Sequence, residues 1–377
     1  MSHPTFHQAD ELAGLRLTPG AEGLQTSEGR AWVHINSDGW RDREHVAPKP
    51  PGVFRVAVLG DSYAEALQVE LEETFWAVAE KALNDPPIFP ERRVEFLNFG
   101  VAGYGTGQQL LTLRHRVWKY APDAVLLAFL TGNDVSDNAA ALKRVDYVPH
   151  FVWDGEGLQL DESFKQSAGF LSRNSWGARI ASSALRFSRT AQLLNQARLG
   201  WRRSRIAAAP GKPPPEGAAR AAASQAEPGL DFAVYREPVT TEWKNAWRVT
   251  EALLEELQAE CQRHDSSFLV ATLSNGLQVG PDAAAGADFA KETRVPDLFY
   301  PDRRIQRVCT RAGVPVLSLA PILSAYASRT GTHLHGFDKK LGKGHWNEHG
   351  HRVAGEALAE WLRPILENIS PADTSSE

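Results

Sequence analysis

Five stretches of strand length stand out along the chain as runs dominated by apolar residues: 54–59, 94–99, 124–130, 267–273 and 314–319. Between and after them apolar positions recur at helical spacing, over 73–83, from Gln108 onward, over 241–264, over 303–312 and over 351–366. Strands that are apolar on both faces and alternate with helices predict a parallel sheet covered on both sides, because each face must be shielded from water. In such sheets the reacting groups gather beyond the carboxyl ends of the strands. Three polar motifs fall at those ends. They are Gly60-Asp61-Ser62, the block Asn98-Phe99-Gly100-Val101-Ala102-Gly103-Tyr104-Gly105, and Thr131-Gly132-Asn133-Asp134.

Two parts of the chain break the alternation. Residues 1–50, rich in Gly, Pro and polar groups, read as an extended leader packed on the core. Residues 51–150 and 241–377 read as two parts of one α/β core, and 151–240 as a helical, partly disordered cap inserted between them. Within 162–206, nine basic residues (Lys165, Arg173, Arg179, Arg186, Arg189, Arg198, Arg202, Arg203, Arg205) face a single acid, Glu162. Leu185, Phe187, Leu193, Leu194 and Leu199 are interleaved with them. This predicts one or two basic amphipathic helices, either capping the mouth of a site with a solvated face or touching an anionic surface or substrate. Residues 207–229, of low complexity and rich in Ala, Pro and Gly, predict a disordered loop.

Bulk composition adds exclusions rather than assignments. A formal net charge of -5 over 377 residues gives no global attraction to nucleic acid, and none is expected as a partner. The two cysteines, Cys261 and Cys309, fall in predicted helices and are expected as buried free thiols. The first residues lack an apolar signal-peptide core, and no apolar run reaches about 18 residues. As written, the sequence reads as cytoplasmic; a trimmed N-terminus would instead allow an exported or anchored protein.

Chemistry concentrates in four blocks. Ser62 follows the first strand directly; its hydroxyl needs a base to accept its proton and donors to hold a developing oxyanion. A serine in that place is more often a helix N-cap, so this block is weak by itself. It does not match G-x-S-x-G, since position 64 is Ala. In the second block the third glycine of a dinucleotide fingerprint would fall at Gln108, and no G-K-[ST] follows for a phosphate loop. In the third, the Asn133 amide is a candidate oxyanion donor or the centre of an Asx-turn, with Asp134 and Asp137 shaping the turn.

The fourth block, Gly344-His345-Trp346-Asn347-Glu348-His349-Gly350-His351, offers a histidine as general base. His333, His335, His345, His349 and His351 also raise a metal site. H-E-x-x-H is absent, however, and the segment reads as a loop entering a helix.

In this order the four blocks resemble the SGNH/GDSL hydrolase family, over 54–366 with 151–240 as the chief unmatched part. Residues 32–44 (WVHINSDGWRDRE) are also similar to what precedes the GDS block in a bacterial subgroup of that family. The resemblance implies a flavodoxin-like three-layer α/β/α fold with a central parallel sheet, here carrying a helical cap insertion. It implies Ser62 as nucleophile and His345 as base. The oxyanion donors would be the Ser62 and Gly103 backbone N–H groups and the Asn133 side chain. The family's D-x-x-H is missing, because positions 342 and 343 are Gly and Lys. Either Asp338 loops back to orient His345, or a backbone carbonyl does so and the pair is a Ser–His dyad; the dyad is the expected arrangement.

The function so implied is serine-dependent ester hydrolysis of the acylesterase or deacetylase type, through an acyl-enzyme, on a small-molecule or glycan ester and without a cofactor or metal. Three alternatives stay open: O-acyl transfer to a glycan or lipid, a non-catalytic binding or membrane-surface protein, and a metal-dependent hydrolase using the histidines of 333–351.

Overall fold

The five apolar runs pair side by side in one parallel sheet in the computed structural model, which describes residues 6–143, 145–178, 180, 190 and 232–369. In chain order the sheet strands are β5 (Val53–Gly60), β6 (Arg93–Asn98), β7 (Ala124–Leu130), β10 (Ser267–Leu273) and β11 (Val316–Ser318). Their spatial order is β11-β10-β7-β5-β6. Counted along the sheet this is second-first-third-fourth-fifth, the flavodoxin-like order. The order reverses between β5 and β7, so the crevice beyond their carboxyl ends is where such a fold holds its ligands.

Side chains of each strand alternate between two separate cores. Ala57, Leu59, Val125, Leu127 and Phe129 join one face with the helices Thr241–Arg263 and Tyr300–Arg311. Val56, Val58, Leu126, Ala128 and Leu130 join the other with Phe75–Asn84, Leu319–Thr330 and Glu348–Asn368. Both layers are made by helices whose buried positions fall on one face, as the helical spacing predicted for all of these but Leu319–Thr330, where no helix was expected. Cys261 and Cys309 lie buried and unpaired in the first layer.

The leader is more than an extended strap. It folds into two antiparallel hairpins, β1 (His7–Asp10) with β2 (Gly14–Leu17) and β3 (Glu22–Gln25) with β4 (Ala31–His34). Val33, Ile35 and Trp40 enter the same core cluster as Leu59 and Phe99. Beyond β4 the chain is tied to the end of β6: Asp42 accepts the Asn98 N–H (2.7 Å), and the Asn98 amide donates to the Arg41 carbonyl (3.1 Å).

One polar side chain breaks the apolar run of β5. Arg55 is buried, and its guanidinium donates to Glu95 (2.7 Å) and to the carbonyls of Tyr120, Val46 and Ala47. The forked donor set is thereby satisfied, which is the condition for keeping an arginine in a core.

The described part of the insertion opens with an antiparallel hairpin, β8 (His150–Trp153) and β9 (Leu158–Asp161), before a short helix at Ala168–Arg173. Most of the basic segment expected over 162–206, and the loop expected over 207–229, lie outside the described residues. Among the described residues no helix is long and apolar enough to cross a membrane.

Candidate active site

Ser62 owes its place to a tight junction after β5. Gly60 and Gly100 both face Ala64 at distances that a Cβ would violate, 2.7 and 2.5 Å, so the turn and the second block press directly against the short helix Ser62–Glu65. The N-cap of that helix is Asp61, whose carboxylate accepts the Tyr63 N–H at 2.9 Å. Ser62 is thus the first helical residue and its hydroxyl is not used for capping.

That hydroxyl lies 2.8 Å from His345 Nε2. The histidine sits just before the helix Glu348–Asn368, capped by Asn347, which accepts the Gly350 N–H at 3.0 Å. His345 Nδ1 lies 2.7 Å from Glu28 Oε2, and its backbone N–H donates to Glu28 Oε1 at 2.8 Å. An ionised carboxylate only accepts, so Nδ1 carries the proton and Nε2 accepts from the serine hydroxyl. Burial pushes the Glu28 carboxyl up, but its contacts with His345 outweigh this and hold it below its ordinary value.

This corrects the expectation for the orienting group. Asp338 begins an exposed 3₁₀ turn, and the acid on His345 is Glu28, from the connection between β3 and β4. A leader hairpin can reach the site because its neighbours are fixed: Gly29, at φ +67, packs against the Gln68 carbonyl, and the Trp32 N–H donates to Glu70 (2.8 Å). The arrangement is a Ser–His–Glu constellation, where a dyad was expected.

The peptide joining Gly344 to His345 is held at both ends. Glu28 takes its N–H, while His335 Nδ1 (3.0 Å) and the Tyr63 hydroxyl (3.1 Å) reach its carbonyl. Behind His335 the hydrogen bonds run in one direction. Trp346 Nε1–H donates to Ser274 Oγ (2.9 Å), and Ser274 lies 3.1 Å from His335 Nε2. The Gly344 carbonyl can only accept, so His335 Nδ1 carries the ring proton, and Nε2 of the neutral ring accepts from the Ser274 hydroxyl. Burial lowers the His335 pKa to about 4, which keeps the ring neutral for this task. Tyr63 also covers one side of the His345 ring, with centroids 5.0 Å apart.

The other two sequence candidates follow the carboxyl ends of β6 and β7. Asn133 follows β7, its amide Nδ2 3.5 Å from Asp61 Oδ2 and its Oδ1 buried without a partner. Gly103 is exposed at φ +80, and a Cβ there would meet nothing within 4 Å, so its peptide borders open space. Asp134 accepts the Leu130 N–H (2.9 Å), the turn-shaping part expected of it. Burial pushes the Asp61 carboxyl up to about 6, and burial together with the neighbouring Asp61 pushes Asp134 well above the usual carboxylate range.

The remaining histidines go separate ways. His351 is buried and accepts the Phe75 N–H (3.2 Å), His335 is part of the chain just described, and the His333 carbonyl accepts from Asn347. Among the described residues no group of three or more His, Cys, Asp or Glu side chains could hold a metal ion.

No protein-family model and no curated protein matches this chain. Solved structures do. LAE5, an alpha/beta hydrolase enzyme from a metagenome of Lake Arreo, Spain, matches at 14% identity over 82% of this chain and 96% of its own, with a TM-score of 0.39. The acetyl xylan esterase AlAXEase matches at 12% identity over 83% and 100%, TM-score 0.38. A protein from Desulfitobacterium hafniense described as lipolytic and of the G-D-S-L family matches at 10% identity over 82% and 99%, TM-score 0.38. By their descriptions these are an alpha/beta hydrolase enzyme, an acetyl xylan esterase and a lipolytic protein of the G-D-S-L family; the fold assignment for this chain stands on its own strand order.

Proposed function

We propose that the protein is a serine ester hydrolase in which Ser62 is the nucleophile, His345 the general base and Glu28 the acid that orients it. The observation that carries this reading is the unbroken line from Glu28 through both ring nitrogens of His345 to the Ser62 hydroxyl, at 2.7 and 2.8 Å. Such spacing is that of an activated nucleophile, and a half-buried carboxylate on the far nitrogen both selects the tautomer and stabilises the imidazolium.

In the proposed reaction Ser62 Oγ attacks the ester carbonyl carbon while its proton passes to His345 Nε2. The carbonyl oxygen becomes an oxyanion, received by the Ser62 and Gly103 N–H groups and the Asn133 amide. His345 returns the proton to the leaving alkoxide, which departs as the alcohol and leaves an acyl-serine. Water, deprotonated by the same histidine, then attacks the acyl carbon and releases the carboxylic acid and the free serine. Removal of a single oxyanion donor of this kind typically costs about 10²–10³ in rate. Transfer to a sugar or lipid hydroxyl would use the same acyl-serine with a different acceptor.

The test is intact-mass labelling with a fluorophosphonate, which reports an activated serine without a cognate substrate. Wild type should take one adduct, Ser62→Ala none, and His345→Ala an adduct formed far more slowly. A folded wild type that takes no label overturns the assignment.

A further inference from the structure

Gly103 raises a physical problem. It is exposed, it has no side chain, and nothing lies within 4 Å of where a Cβ would stand, so neither burial nor packing fixes the direction of its N–H. An oxyanion donor must nevertheless be aimed before the reaction begins, since its value lies in costing no reorganisation. The peptides on either side of it are where the structure acts.

On one side the Ala102 N–H donates to Glu65 Oε2 at 2.7 Å. Glu65 closes the short helix that starts with Ser62, and it is buried. Its other oxygen lies 2.8 Å from His7 Nε2, which reaches in from β1 of the leader. Burial by itself would lower the His7 pKa, but the Glu65 carboxylate outweighs it and raises the pKa, as for an ion pair. On the other side the Gly103 carbonyl accepts from Lys143 Nζ at 2.6 Å. Lys143 comes from the loop after Asp134–Asp137, its side chain 8% exposed, with Asp137 3.6 Å away. The ammonium is therefore held between an acid and a carbonyl rather than free in solvent.

We propose that Lys143, working against the fixed anchor at Glu65, is a positioning residue that aims the Gly103 N–H at the oxyanion. With the preceding peptide pinned through its N–H and the following one through its C=O, the peptide between Ala102 and Gly103 has little freedom left, although it borders open space. The inference rests on the serine-hydrolase reading above, since it assigns Lys143 to the loop that receives the oxyanion. It also gives the lysine a task without contact with the reacting atoms. A misplacement of about 1 Å at a reacting centre can cost about 10²-fold, which sets the size of the expected effect.

The experiment compares the full chain with Lys143→Met and Lys143→Arg in hydrolysis of p-nitrophenyl acetate, in the rate of fluorophosphonate labelling of Ser62, and in thermal melting. Lys143→Met should lower kcat by about 10- to 100-fold with KM nearly unchanged, slow labelling in parallel, and leave the melting temperature close to wild type. Lys143→Arg, which keeps a charged donor for the Gly103 carbonyl, should restore most of kcat. Full activity in Lys143→Met overturns the proposal. So does a loss that Lys143→Arg shares and that follows a fall in melting temperature. A folded wild type that is not labelled at all sinks the serine-hydrolase reading itself, and that failure is read without any Lys143 variant.

Discussion

Glu28 holds His345 twice, through Nδ1 at 2.7 Å and through the backbone N–H at 2.8 Å, across 317 positions of sequence. A single carboxylate thereby fixes the ring's tautomer and the peptide that carries the ring.

Replacing that carboxylate separates the two acids considered for the site. Glu28→Gln keeps the size but offers Nδ1 an amide that can stabilise the wrong tautomer, so kcat should fall by about 10²–10⁴-fold. Asp338→Ala, at an exposed turn, should stay within about twofold of wild type. Steady-state rates on p-nitrophenyl acetate decide it, and a fast Glu28→Gln would return the site to a Ser–His dyad. The depressed Glu28 carboxyl sets the sign of the acid side. Its contribution is present above its ordinary pKa near 4.5 and is lost as pH falls through the lower folded value.

Gly103 should tolerate added volume but not a changed backbone. At φ +80 an alanine is strained by about 1 kcal/mol, although its methyl meets nothing. Gly103→Ala is therefore expected to melt close to wild type while kcat drops by about 10-fold or more as the loop relaxes and the N–H turns away. Equal losses of rate and stability would contradict this.

The molecule holds a second Ser–His contact, Ser274 to His335, and the two pairs should behave in opposite ways. Ser274 is fully buried, so a fluorophosphonate should leave it untouched and wild type should carry one adduct only. Ser274→Ala strands a buried indole N–H and a buried ring nitrogen, and should cost about 2 kcal/mol or more of stability. Denaturant titration measures the cost; mass spectrometry of the labelled peptide locates the adduct.

The polar network beneath β5 should make stability fall at both ends of the pH scale. Asp42 and Glu95 lie 3.1 and 3.3 Å from His45 and, against burial, raise its pKa from 6.5 to about 9. The folded state thus binds this proton more tightly. The gain is complete below about pH 6.5 and is lost as pH rises through about 9. Glu95 runs the other way. Held by His45 and Arg55 at about 2, it contributes above its ordinary 4.5 and loses that contribution as pH falls through about 2. Urea midpoints measured across pH should decline from 7 to 10 in wild type and be flatter over that range in His45→Phe. Arg55→Met, which removes the 2.7 Å guanidinium contact of buried Glu95, should lose about 3–5 kcal/mol.

Apolar runs of strand length alternating with helical spacing determined the sheet, its parallel sense and its two covering layers. Burial on both faces is a demand each strand meets within its own few residues. The same local logic marked the blocks that hold Ser62, Gly103 and Asn133, because strand ends are where free polar groups collect in such a sheet, and the resemblance to the SGNH/GDSL family picked Gly103 from its block. The block ahead of the last helix offered a histidine as base, and the resemblance chose His345 among several.

Glu28 left no comparable trace. It lies in a leader whose hairpins have strands of only four residues, and its task depends on docking against Gln68 and Glu70, not on any spacing near the histidine. The one signal available was negative: Gly342 and Lys343 stand where an acid was wanted, which says that the acid is elsewhere but not where. Lys143 and Glu65 were silent for the same reason. A charge in a loop or at a helix end reads as solvated until the chain brings an amide or a carbonyl to it. Periodicity encodes which face of an element is buried, and so the fold. The partner of a single polar side chain is fixed only when distant segments meet, and so the last part of the site belongs to the tertiary structure.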